Sequence, residues 1–149
     1  VNYEVKNFNI DEAKEVIKSR PQNLSLNEMF LVANTYPVGS QDFIDIFETA
    51  VRMYPKDEIA NINAAAAALS RNDLLSAERY LDMVHSNTNL SEYNNAIGVL
   101  MLLKGEYEKG EKYLKIASES GLEAAGHNLE ELARKRTNAA EIEKKNRDK

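Results

Sequence analysis

The stretch ANINAAAAALSRNDLLSAERYL, Ala60 to Leu81, decides how this chain folds. Five consecutive alanines, Ala64 to Ala68, stand in its middle. Alanine is the strongest helix former because it gives up no side-chain freedom and buries no polar group. Asp57 stands where an N-cap belongs, and Asn72-Asp73 breaks the run. Helical spacing then resumes through Ala77, Leu81 and Val84. The stretch therefore reads as two helices joined by a short turn, with small residues where their axes come close.

The same alternation of helix and break extends both ways. Ile10, Ala13, Val16 and Ile17 follow helical spacing, with Asn9 and Glu12 placed as a capping pair and Pro21 as the stop. Ser25-Leu26-Asn27-Glu28 has the form of a capping box. Pro37-Val38-Gly39 breaks that helix, and Ser40 starts one running toward Pro55. Ser91 and Glu92 open another, Gly105 interrupts it, and Gly121 closes its partner. Ala125, Leu129 and Leu132 form the stripe of a last helix. Only Val1, Tyr3 and Val5 alternate with polar residues as a half-exposed strand does. The expected class is all-α with a short N-terminal strand-like leader.

The chain repeats itself. Phe47, Leu81 and Leu114 recur at intervals of about 34 residues, as do Ala50, Val84 and Ala117. Phe43, Ala77 and Gly110 share that register. So do Leu31, Ala65 and Gly98 in the first helices, together with Asn27, Asn61 and Asn94. The units run Leu24–Asp57, Glu58–Leu90 and Ser91–Ala124. Residues 1–23 form a leader strand and linker helix expected to end an upstream domain. Residues 24–133 are the repeat domain, with 125–133 as its capping helix, and 134–149 are a basic polar tail.

A two-helix unit of this period resembles the tetratricopeptide repeat. The third unit carries its pattern at Ile97, Gly98, Gly110, Leu114 and Ala117. The second carries it at Ala65, Ala77 and Leu81, and the first at Phe47, Ala50 and Pro55. Three features depart from it. Asn replaces the usual aromatic at the fourth position of every unit, Phe43 occupies a small-residue site, and Asn89 and Leu122 stand where proline is expected. The resemblance implies an α-α superhelix of about three helical hairpins with flanking N- and C-terminal helices. One hairpin cannot bury its apolar face alone, whereas stacked hairpins bury a continuous core.

In that family the first helices line a concave groove that takes extended or helical polypeptide segments. Carried over, the lining residues are Ser25, Glu28, Val32 and Thr35; Ile59, Ile62, Asn63, Ala66 and Leu69; and Glu92, Asn95, Val99 and Leu102. This set contains no Lys or Arg, so a clamp for a terminal carboxylate is disfavoured. Asn63 and Asn95 are placed to bond a bound backbone, or to satisfy neighbouring loops of the chain itself. The apolar rows call for cover by a partner, by the Ile10 helix, by the tail helix, or by a second copy.

Catalytic patterns are missing. There is no Cys, and the two histidines, His85 and His127, lie in different units. No HExxH, GxSxG or phosphate-loop motif occurs. The Asp42–Asp45 and Asp73–Glu78 pairs are ordinary on an acidic helix surface. Tyr54, Tyr80, Tyr107 and Tyr113 read as packing aromatics rather than a base-stacking platform. No metal or cofactor is expected.

The net charge of -5 argues against a general nucleic-acid surface. The tail from Arg134 to Lys149 carries seven bases against three acids, as solvated helix ends do. It offers too little apolar area for direct membrane insertion. The 149 residues suit one domain with an appendage, and the first residue, Val, fits a piece of a longer protein.

The expected function is a non-catalytic protein–protein interaction scaffold, taking a polypeptide segment or a neighbouring domain of its own parent chain. The competing readings are a self-association module that forms homo-oligomers and a small enzyme with an acidic pocket. The opening VNYEVKNF, followed by NIDEAKEVIKSRP and the repeats, also resembles the C-terminal portion of certain bacterial cell-envelope proteins. That resemblance implies a periplasmic or cell-envelope role in assembly.

Overall fold

The computed structural model describes residues 8–85 and 90–148, and these are helical apart from turns. The strand expected at Val1–Val5 lies outside the described residues. The chain divides into two compact units between Ser86 and Asn87.

The first unit holds α1 (Ile10–Ser19), a 3₁₀ turn (Pro21–Asn23), α2 (Leu26–Ala33), α3 (Gln41–Met53), α4 (Glu58–Ser70) and α5 (Leu74–Asp82). Short polar residues start most of these helices by accepting otherwise unpaired backbone N–H groups. Asn9 Oδ1 accepts from the N–H of Asp11 and of Glu12 at 3.0 and 3.2 Å. Ser25 and Glu28 close the full capping box at 3.1 and 2.8 Å. Ser40, Asp57 and Asp73 do the same work for α3, α4 and α5.

The core of this unit forms around Phe47, which is 2 % exposed. Its ring stacks on Phe30 at 5.6 Å and meets Phe43 at 4.7 Å. α4 supplies Ala60 and, from the alanine run, Ala64 and Ala67 to the same core, where a larger side chain would hold α4 off α3. Ala13 and Ile17 of α1 are also in it, beside Met29 and Val32. The helix that the sequence assigns to the leader is therefore an integral wall of this unit. Asn61, 1 % exposed, is a buried amide with a structural task. Its Nδ2 donates to the carbonyls of Pro55 and Asp57 at 3.0 and 2.8 Å, pinning the α3–α4 loop.

The second unit holds α6 (Ser91–Leu103), α7 (Tyr107–Glu119) and α8 (Glu123–Arg147). The N-cap of α6 is Leu90, which makes no side-chain cap bond, so Ser91 is the first helical residue rather than the cap. Gly98 and Gly110 let α6 and α7 close tightly. A Cβ on Gly98 would stand 2.7 Å from Leu114 and 3.2 Å from the Gly110 carbonyl oxygen. A Cβ on Gly110 would stand 2.8 Å from Leu102 and 3.0 Å from the Gly98 carbonyl oxygen. Leu102, Leu114 and Leu132 then fill a small core, with Val99, Tyr107 and Leu129 packed against it.

α8 runs unbroken for 25 residues, about 37 Å, through the point where the sequence reading ends a capping helix at residue 133. No Gly or Pro interrupts residues 127–147, so nothing stops the helix where its apolar stripe ends. Residues 137–148 are all exposed.

Among the described residues, three helices end in the same way. Asn72, Gly105 and Gly121 have φ of 61, 83 and 96°. Each begins a pair of hydrogen bonds back onto the last turn. Asn72 and Asp73 donate to Leu69 and Ala68, Gly105 and Glu106 to Leu102 and Met101, and Gly121 and Leu122 to Ser118 and Ala117. This paired closure satisfies carbonyls that the helix itself leaves open, and it needs a residue tolerant of left-handed backbone.

Candidate functional site

The residues expected to line a groove divide into an open group and a closed one. On α4, Ile59 is 41 % exposed, and Asn63, Ala66 and Leu69 are half-buried. Residues three or four apart share a helix face, so Ile59, Asn63 and Ala66 make one open row along α4. Ile62, by contrast, is 4 % exposed. It sits about 60° around the helix from Ile59, given about 100° per residue, and that turn carries it inside.

The α2 positions are mostly closed as well. Val32 is fully buried in the core that α1 shares. Glu28 is buried because its carboxylate accepts from the Ser25 N–H to complete the capping box. Ser25 is half-buried by the same contact, and Thr35 is exposed, its Oγ1 donating to the Val32 carbonyl at 2.7 Å. Val32, Glu28 and Ile62 thus leave the groove set and join the interior.

In the second unit, Glu92 is exposed and Asn95 half-buried. Asn95 Oδ1 accepts from Asn128 Nδ2 of α8 at 2.9 Å. Leu102 is buried, and Val99 packs against the same cluster as Leu129 and Leu132. Here α8 is the cover for the first helix of the hairpin, so Leu102 is core rather than lining. No local pattern marks Asn128 as a site residue, although it follows Asn95 by 33 residues, the repeat spacing itself. The Asn63 amide is spent locally, Nδ2 donating to the Ile59 carbonyl at 2.9 Å.

The acidic pair Asp42 and Asp45 lines a cleft of about 240 Å³ with Lys18, Tyr36 and Thr49. Both carboxylates are exposed, and Asp45 accepts from Gln41 Nε2 at 2.7 Å. Lys14 Nζ lies 5.2 Å above the Tyr36 ring, a cation–π distance. Neither histidine reaches this cleft, and both are exposed. Among the described residues, no group of His, Asp and Glu is arranged to hold a metal ion. Likewise, no helix among them is long and apolar enough to cross a membrane.

Among the described residues two carboxyls are shifted, Asp73 at the start of α5 and Glu111 on α7. Asp73 is held below its ordinary 3.8 by hydrogen bonds from Ser76, with Arg71 and Arg79 adding attraction. Arg71 also pairs with Glu48 at 3.0 Å, fastening the α4–α5 turn to α3. Glu111 is held below its ordinary 4.5 by Lys115 first and Arg136 second. The Arg136 pair ties α8 to α7. Compared with family models, curated proteins and solved structures, the chain matches none of them.

Proposed function

We propose that the chain is a non-catalytic scaffold of tetratricopeptide-like hairpins that binds a polypeptide segment along the first helix of a hairpin. The observation that carries this reading is the recurrence of the hairpin. Second helices begin at Gln41, Leu74 and Tyr107, one repeat length apart, and bury Phe47, Leu81 and Leu114 at equivalent places. Repeated hairpins of this kind present side-by-side helix faces to a ligand without any catalytic group. The open row of Ile59, Asn63 and Ala66 is the surface assigned to the segment, apolar enough to hold an aliphatic side chain. The envelope-assembly role implied by the opening residues belongs to the same proposal.

The test is selection of a random peptide library on the folded protein, followed by titration of the enriched peptides. Ile59→Glu with Ala66→Glu is expected to weaken binding by about tenfold or more, the scale of losing one buried aliphatic anchor. Leu75→Glu, on an exposed face of α5, should leave it unchanged. Failure to enrich any peptide, or equal affinity for the doubly charged variant, refutes the proposal.

A further inference from the structure

A second cleft lies in the first unit, away from the open row. It holds about 310 Å³ and is lined by Val51, Pro55, Asn61, Arg79, Tyr80 and Met83. Asn61 stands about 200° around α4 from Ile59, so this cleft and the row occupy opposite sides of that helix. Its lining is mostly apolar. Met83 is 45 % exposed, and Tyr54, the neighbour of Pro55, is 37 % exposed. Apolar side chains left this open around a concavity suit a partner's apolar side chain.

The charge of the lining narrows the partner. Among the described residues that line it, Arg79 is the one ionised group. The guanidinium is exposed; among the described residues its Nη2 donates one long hydrogen bond to Ser76 Oγ at 3.4 Å and its charge attracts Asp73, which leaves donors of its five for a ligand's carboxylate. The Asn61 Nδ2 is already committed to the Pro55 and Asp57 carbonyls and does not compete for a ligand's acceptor. A cleft with greasy walls and one guanidinium at its rim is complementary to an apolar residue flanked by a carboxylate.

We infer that this cleft docks an acidic segment of a partner polypeptide, an aromatic or aliphatic side chain entering between Val51, Tyr80 and Met83 while an adjoining carboxylate pairs with Arg79. This is a surface additional to the row on α4 and does not depend on that row binding anything.

The probe is the peptide acetyl-Asp-Phe-Asp-amide, with acetyl-Asn-Phe-Asn-amide and acetyl-Lys-Phe-Lys-amide as comparisons. The reporter is the Met83 methyl signal in a methyl-labelled protein, with the buried Met29 as internal reference. The acidic peptide should move Met83 saturably, and the neutral one should bind up to about fivefold more weakly, the upper end for one exposed ion pair. Arg79→Gln should erase that difference, and Ile59→Glu should leave the Met83 response intact. No movement of Met83 with acidic peptide at about 5 mM, or equal binding of all three peptides, overturns the inference. A Met83 shift that follows protein concentration alone also overturns it, making a second copy of the chain the occupant.

Discussion

The hairpins α4–α5 and α6–α7 meet the same packing problem with residues one methyl group apart. Ala65 and Ala77, both fully buried, hold the positions one repeat ahead of Gly98 and Gly110. In the glycine hairpin each backbone stands so near the other that a Cβ would lie 3.0 to 3.2 Å from the opposing carbonyl oxygen. The alanine hairpin keeps its methyl groups. Helix approach is thus set by the smallest residue at the crossing, and the large residues arrange themselves around it. Leu114 closes over Gly98, so its placement follows from what the glycine leaves vacant.

The largest effects should come from the residues that fill the space around these crossings. Phe47→Ala should cost about 3–5 kcal/mol and Leu114→Ala about 2–5 kcal/mol in urea unfolding. A loss below about 1 kcal/mol at either would break the equivalence of the two positions.

Next comes the crossing itself. Ala65→Leu should overpack its site by about 1–3 kcal/mol. A variant that melts like the parent would show that Ala65 does not mark a close approach. Gly98→Ala should also destabilise by about 1–3 kcal/mol, even though alanine gains about 1 kcal/mol of helix propensity. Gly126, inside α8, has only Ser118 Oγ near a would-be Cβ, at 3.8 Å. Gly126→Ala should therefore stabilise, by about 0.5–1 kcal/mol. Opposite signs for these two glycines sharpen the comparison; the same sign would remove the steric explanation for Gly98.

The smallest effect concerns pH. Glu111 is held below 4.5, so its pairing with Lys115 and Arg136 contributes stability above the unfolded value and loses it as pH falls through the folded one. Between about pH 6 and pH 3, the urea midpoint of the parent should fall further than that of Glu111→Gln. Parallel curves would mean that the pairs linking α8 to α7 and within α7 hold nothing together. Added salt should shrink the difference, since these groups are half-exposed.

Much of the fold is legible in local chemistry. Helix starts at Ser25, Ser40 and Asp57 can be read because a cap needs only one side chain and the next three residues. The turns at Asn72, Gly105 and Gly121 are legible for the same reason. The length of α8 is harder to read, because past Leu132 no apolar stripe marks the helix and only the absence of a breaker lets it continue. The groove is half legible. Helical spacing separates Ile59 from Ile62 by a small rotation, and which side of that boundary faces water depends on the neighbouring helices. Val32 likewise becomes interior in a core that gathers residues of α1, α3 and α4 around it. Asn95 reads as a polar contact, but its partner Asn128 lies one repeat further along the chain, where the repeat register and not local sequence is the guide.

The glycine crossing also bears on how this sequence can drift. Most core positions accept a neighbour in size, because a leucine and a methionine trade space at modest cost. Gly98 and Gly110 have no such neighbour, since every other residue brings a Cβ to a place another atom already holds. A substitution at either requires a second change, such as a shortened side chain at Leu114 or Leu102, before it becomes neutral. Saturation mutagenesis read out by folding should therefore find these two positions among the least permissive of the second unit, and should recover their replacements mainly as coupled pairs.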